Sequence, residues 1–419
     1  MNASHDIERD LARWMEVVAP SRAPDNLAPA ILERTRTLRP RPGWLARLME
    51  PPMQTQLSLR RYLDFGRSPR LILIGLLILA LTVGGVIVGS QLLRQQPLPP
   101  PFGLAGNGLL ASNVGGEIVL MDLDGSKVQH LVLPFKGVSG TSFSRDGTRI
   151  AAWATPDPGR GSEKSLIVAN ADGSGAFELD SAKLVGAPGF RIAWSPDDRR
   201  LAFSGSGDRL FVADIDARKV RELGLESSIK NRKDPAWAPD GRLAYRCTTT
   251  DGVLHLCVMS ADFRVEQMLQ TSAGTEFAFH APSWSHDGRS IAYQVDDAID
   301  HGPADLGYDV ATIDVASGTE KILTRGFAGH AIVPVYSPDD RHLLFQTGTG
   351  AGVVRSDGTG LRVIEERSCE WIEPSPDGAF ATCPSGTQVV LYPIEGGGQP
   401  TVIEVGGPVD FVNWQRVAR

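Results

Sequence analysis

A four-residue turn recurs six times in the second part of the chain, and its spacing constrains the fold more than any other feature. It reads Ser-Arg-Asp-Gly at 144–147, Ser-Pro-Asp-Asp at 195–198, Ala-Pro-Asp-Gly at 238–241, Ser-His-Asp-Gly at 285–288, Ser-Pro-Asp-Asp at 337–340 and Ser-Pro-Asp-Gly at 375–378. The intervals from Asp to Asp are 51, 43, 47, 52 and 38 residues. Phe143, Trp194, Trp237, Trp284 and Tyr336 each stand just before a turn, and Pro374 takes that place in the last one. Each turn is followed by a short apolar strand, such as Arg-Leu-Ala-Phe at 200–203 or His-Leu-Leu-Phe at 342–345. Pro presets φ, Asp caps the turn through its own backbone and Gly accepts positive φ. A period of 40 to 50 residues holding about four short strands is that of a β-propeller blade.

Six turns define six blades with their own inner strand. Residues 108–132 supply three further strands without an inner one, and the segment at 410–415, with Trp414 forty residues after Pro374, supplies the missing piece. The C-terminal strand is therefore expected to complete the first blade and close a seven-bladed, all-β ring. A six-bladed ring is the alternative if two of the units are degenerate.

The repeat resembles that of the TolB-like propeller family, which also occurs in the lids of prolyl oligopeptidases, and the resemblance spans residues 104–416. It implies a fold and leaves activity open, because the same repeat serves different functions.

The four cysteines test the strand order. Cys247 and Cys257 flank a Thr-Asp-Gly turn at 250–252, and Cys369 and Cys383 flank the turn at 375–378. Two disulfides within hairpins are expected, the alternative being four buried free thiols. No His or further Cys falls at ligand spacing, so neither a metal nor another cofactor is expected.

Before the repeat, residues 71–93 contain no charged side chain, and fifteen of the twenty-three are Leu, Ile or Val. As a helix they would span about 34 Å, against roughly 30 Å of hydrocarbon. Their insertion is favourable by on the order of −5 to −9 kcal/mol before the Gly and Gln penalties. A secretory signal would lie nearer Met1 and end in small residues. A single transmembrane helix is expected. Arg60, Arg61, Arg67 and Arg70 precede it and Arg94 stands almost alone after it, which places the N-terminus in the cytoplasm and the rest outside the plasma membrane. Residues 94–103 then read as a Pro-rich stalk carrying a propeller over 104–419.

Charge divides along the same boundary. The chain carries a net −7, yet residues 1–70 hold twelve Arg against eight acidic residues, leaving −11 for the remainder. That acidity argues against nucleic acid as a partner. Within 1–70, Ile7, Leu11, Met15 and Val18 recur at helical spacing, and Leu27, Ile31 and Leu32 mark a second short helix. These are either a loosely folded tail or membrane-surface helix, or a docking element for a cytoplasmic protein. The region resembles the tails of bacterial single-pass anti-sigma-like regulators. The zinc-binding version of that family uses a His followed by Cys-x-x-Cys, and His5 here has no such partners.

The turns between first and second strands, and between third and fourth, emerge on one face and are short. The other connections, such as 156–163, 223–233 and 295–306, are longer and varied. Binding usually resides on such loops, so a protein or small-molecule partner is expected on that face. Asp234, His280 and His330 stand just before inner strands, and His301 lies with Asp296 and Asp297 on the longest insertion. They are candidates for a polar pocket, the plainer alternative being solvated loop residues and strand caps. No Gly-x-Ser-x-Gly elbow, sialidase box or paired acid/base constellation is present, so no catalytic residue is expected. The expected role is non-catalytic binding or scaffolding at the cell envelope. The alternative is a transmembrane regulator whose propeller senses a ligand and whose tail holds a cytoplasmic factor.

Overall fold

The computed structural model describes residues 98–126, 128–155, 164–179, 191–224, 226–271, 282–296, 307–366, 369, 371–409 and 411–419. The expected tail at 1–70 and transmembrane helix at 71–93 lie outside the described residues, as does the stalk before Leu98. Among the described residues no helix is long and apolar enough to cross a membrane.

Seven four-stranded antiparallel sheets make up the unit Gln95–Arg419. Blade 1 joins β1 (Gly106–Val114), β2 (Glu117–Met121) and β3 (Val128–Leu131) to β28 (Val412–Val417), the last strand of the chain. Blade 2 runs β4 (Lys136–Phe143), β5 (Arg149–Thr155), β6 (Ser165–Asn170), β7 (Phe177–Glu178). Blade 3 runs β8 (Ile192–Trp194), β9 (Arg200–Gly205), β10 (Arg209–Asp214), β11 (Lys219–Leu223). Blade 4 runs β12 (Ile229–Trp237), β13 (Leu243–Thr249), β14 (Leu254–Met259), β15 (Glu266–Leu269). Blade 5 runs β16 (Ser283–Trp284), β17 (Ser290–Asp296), β18 (Tyr308–Asp314), β19 (Glu320–Ile322). Blade 6 runs β20 (Ile332–Tyr336), β21 (His342–Gln346), β22 (Ala351–Arg355), β23 (Arg362–Glu365). Blade 7 runs β24 (Glu373–Pro374), β25 (Phe380–Ser385), β26 (Gln388–Pro393), β27 (Thr401–Glu404).

The first strand of each blade touches that of the next, from β4 through β8, β12, β16, β20 and β24 to β28 and back to β4. The ring is closed and has seven blades, which removes the six-bladed alternative. Closure is by β28, whose Trp414 and Val412 pair with Leu110 and Ser112 of β1.

Each interface between blades carries its own apolar cluster. Between blades 2 and 3, Trp153, Leu166 and Val168 meet Trp194, Phe203 and Phe211. Between blades 7 and 1, Val389 and Leu391 meet Leu110, Val119 and Trp414. A strand with neighbours on both faces buries side chains of both, so the middles of β9 (Leu201–Phe203) and β10 (Leu210–Ala213) read as continuous apolar runs rather than alternating ones.

The repeated turn is built as its residues dictate. In five of the six, the Ser hydroxyl donates to the Asp two residues on and accepts the N–H five residues on. Ser195 does so with Asp197 at 2.5 Å and Arg200 at 2.9 Å, and Ser337 with Asp339 at 2.6 Å and His342 at 2.9 Å. In blade 4 the turn is one residue shorter, closing from Ala238 N–H to Arg242 O at 2.8 Å, and Ala replaces Ser. The aromatic before the turn is also fixed. Trp194, Trp237 and Trp284 each donate Nε1–H to a carbonyl on the preceding blade's inner strand, at Ser142, Ala193 and Ala236, all at 3.1 Å.

Both expected disulfides are present. Cys247–Cys257 joins β13 to β14 with Cα atoms 5.9 Å apart, and Cys369–Cys383 ties the segment before β24 to β25 at 5.2 Å. The first pair is diagonal rather than directly opposed, since Cys247 faces His255 and Cys257 faces Tyr245. The second starts outside any strand. The supposed loop at 223–233 is also shorter than expected, because β12 already begins at Ile229.

Candidate functional site

Along each inner strand the residue before the aromatic turns into the central channel. These lumen positions are Ser142, Ala193, Ala236, Ser283, Val335, Glu373 and Asn413, and all seven line one cavity of about 260 Å³. Six are small or uncharged. The seventh, Glu373, is a half-buried carboxylate on the cavity wall, and burial raises its pKa despite the counteracting charge of Arg191 and the Trp371 N–H. Trp371 donates Nε1–H to Glu373 Oε1 at 2.9 Å.

Three arginines share the cavity. Arg191, just before β8, reaches across the channel to lie over the Trp371 indole at 5.0 Å, and Trp371 meets Phe411 edge-on at 5.2 Å. Arg145, in the first turn of blade 2, lies over the Phe102 ring at 4.1 Å. Arg416, on the closing strand, donates through Nη2 to the carbonyls of Pro100 and Gly103, both at 2.8 Å. Burial lowers the pKa of Arg145 to about 10, helped by Arg416 and opposed by Asp198 and Glu373. Burial likewise lowers Arg416 to about 10 against the attraction of Asp198.

Phe102 closes the mouth on the short-turn face. Its ring meets His286 edge-on at 6.2 Å as well as Arg145, and Ala105 N–H donates to Pro376 O at 2.8 Å. Residues 98–105 therefore cross this mouth.

Of the residues expected to form a polar pocket, Asp234 and His330 have described side chains, and neither lines this cavity. Asp234 sits at an irregularity of β12 with φ 56° and pairs with Arg246 at 3.2 Å. Its side chain belongs to the blade and not to the channel lining. His330 packs against Tyr308 at 5.4 Å with its Nδ1 buried and without a hydrogen-bond partner among the described residues. His280, Asp297 and His301 lie outside the described residues, as do 156–163 and 297–306. Asp296 ends β17, and its side chain is likewise outside the description.

The Asp of the repeated turns is committed to structure. Burial alone would raise Asp146, Asp197 and Asp339, but the Ser hydroxyl and a backbone N–H outweigh it and hold each below the usual range. Among the described residues no three His, Cys, Asp or Glu side chains cluster as metal ligands.

No curated protein matches this sequence. Among solved structures, oligogalacturonate lyase in complex with manganese superimposes with a TM-score of 0.52 at 11% identity, over 72% of this chain and 86% of that one. The tricorn protease gives 0.50 at 13% identity, over 74% of this chain and 35% of that one. TolB from Acinetobacter baumannii gives 0.45 at 16% identity, over 75% of this chain and 81% of that one. At these identities the likeness concerns the fold alone. The sequence pattern of the TolB beta propeller domain matches residues 111–359, more than half of the chain. On that match and the seven closed blades, this chain belongs to the TolB beta propeller domain family.

Proposed function

We propose that this protein is a non-catalytic binding module, held at the outer side of the plasma membrane by a helix over 71–93 and presenting its long-loop face to a protein or small-molecule partner. The observation that carries the reading is the seat of Phe102. Phe102 and its neighbours sit at the short-turn mouth of the channel, and this reading gives the opposite face to partners. Two disulfides support an oxidising compartment outside the membrane. The apolar run at 71–93 and the arginines before it support the anchor and its direction.

A second reading is favoured by the same contact. Phe102 lines the channel, so a ligand in the channel would touch the bend at 101–103. A regulator whose tail at 1–70 holds a cytoplasmic protein would use that contact.

Protease added to spheroplasts carrying the full-length protein tests the anchor. Cleavage after residue 94 with the tail at 1–70 spared is expected. A cleaved tail with an intact propeller contradicts the orientation.

A further inference from the structure

Several arginines of the propeller pair with a carboxylate, as Arg232 does with Glu266 at 2.7 Å, Arg209 with Glu222 at 2.9 Å and Arg246 with Asp234 at 3.2 Å. Arg145, Arg191 and Arg416 have no carboxylate within 4.0 Å among the described residues. Two of their nitrogens, Arg191 Nη2 and Arg416 Nε, are buried without a hydrogen-bond partner there. Buried charges are normally paired, and leaving a charged donor unsatisfied is costly.

The charge balance points the same way. Three guanidinium groups line the cavity, and Glu373 is the one carboxylate among its lining residues, so positive charge is in excess there. Beside Arg191 the cavity walls are Trp371 and Phe411, which are apolar and aromatic. A cavity of about 260 Å³ lies just below the roughly 300–1,000 Å³ of typical organic-ligand sites, which restricts it to a small molecule.

We propose that the central channel is a binding site for a small organic monocarboxylate, its carboxylate taken by the guanidinium of Arg191 with help from Arg145 and its body covered by Trp371 and Phe411. The anion replaces the missing counter-charge, and the fork of Arg191 suits the planar carboxylate. A bound anion offsets the desolvation that lowers the pKa of Arg145 to about 10. Inorganic phosphate offers the charge without a body for the aromatic walls, so it binds more weakly. The site deepens the binding role proposed above without depending on which partner occupies the long-loop face.

Calorimetric titration of the full-length protein in detergent with sodium benzoate is the test, with sodium phosphate as the comparison. Saturable binding with Kd below about 1 mM is expected, and phosphate should be at least tenfold weaker. Arg191→Met should weaken benzoate at least tenfold. If that variant does not fold, Arg191→Lys, which keeps the charge and loses the fork, should weaken it severalfold. Absence of saturable benzoate binding to the wild type overturns the proposal, as does an affinity unchanged by substitution of Arg191. Phosphate binding as tight as benzoate overturns the assignment of an organic carboxylate. Partners crosslinked to the long-loop face of the Arg191→Met protein would show the scaffold role intact whatever the titration gives.

Discussion

The carboxylate of Asp198, in the turn of blade 3, accepts the backbone N–H of Arg145, in the turn of blade 2, at 2.7 Å. It also accepts the N–H of Asp146 at 2.9 Å. Asp198 stands where four of the other turns have Gly, and it adopts φ 53° to do so. Asp340 repeats the arrangement at φ 58°, accepting His286 N–H at 2.7 Å and Asp287 N–H at 3.1 Å. Side chains other than Gly are disfavoured in that backbone region, and here the carboxylate clasps two blades together in return.

The Asp198 clasp should depend on pH. Burial raises its pKa to about 6, against the two N–H donors and the charge of Arg145. A carboxyl group raised in the folded state binds more protons folded than unfolded, so its contribution is fullest below the unfolded pKa and is lost as pH rises through about 6. The stability advantage of wild type over Asp198→Asn should therefore shrink by about 1–3 kcal/mol between pH 4 and pH 7. Paired melts across that range read it. An advantage that grows with pH would contradict the assignment.

Ring closure rests on one close approach. Gly147 has φ 70°, and a Cβ there would stand 2.0 Å from the carbonyl oxygen of Arg416 on β28. Gln415 Nε2 donates to Gly147 O at 2.8 Å across the same seam. Gly147→Ala should cost about 2–4 kcal/mol in denaturant unfolding, combining backbone strain and displacement of the closing strand. Truncation after Val409 removes β28 entirely and should abolish the cooperative melt of the whole propeller.

The bridges should be measurable separately from the ring. Non-reducing peptide mapping should recover 247–257 and 369–383 links, which enclose 10 and 14 residues of sequence separation. Replacing Cys369 and Cys383 by Ala should lower stability by about 2–4 kcal/mol. Free thiols at all four positions would contradict the hairpin registers.

Blade 4 hides an ion pair that tests how such charges are held. Glu266 is buried, with Arg232 Nε at 2.7 Å, the Glu226 N–H at 2.9 Å and the Tyr245 hydroxyl as its donors. Glu266→Gln leaves the Arg232 charge uncompensated and should cost about 3–5 kcal/mol. A neutral effect in chemical unfolding would show that water reaches the pair.

The propeller was legible because its information is local. Ser, Asp and Gly within four residues specify each turn, and an aromatic one position earlier marks the inner strand. The orphan Trp414 then showed where the ring closes. The channel was not legible because Arg145, Arg191, Glu373 and Arg416 lie in four different blades and meet only across the lumen. A signal existed in the register: the residue just before the turn aromatic faces the channel, and Glu373 holds that place in blade 7. Asp234 lies within β12 at its irregularity rather than before the strand, where it pairs with Arg246, a placement that spacing alone does not reveal.

The central claim, that the long-loop face of an anchored propeller is the binding surface, is tested most directly by photo-crosslinking in intact membranes. Exposed Asp251 and Thr387 lie in connections on that face, and exposed Arg199 and Asp287 lie in turns on the opposite one. Replacing each in turn by a photoreactive residue and identifying crosslinked peptides by mass spectrometry should recover a partner from Asp251 or Thr387 and none from Arg199 or Asp287. Crosslinks confined to residues 1–70, or only from the short-turn positions, would contradict the claim and move the binding role to the tail or to the opposite face.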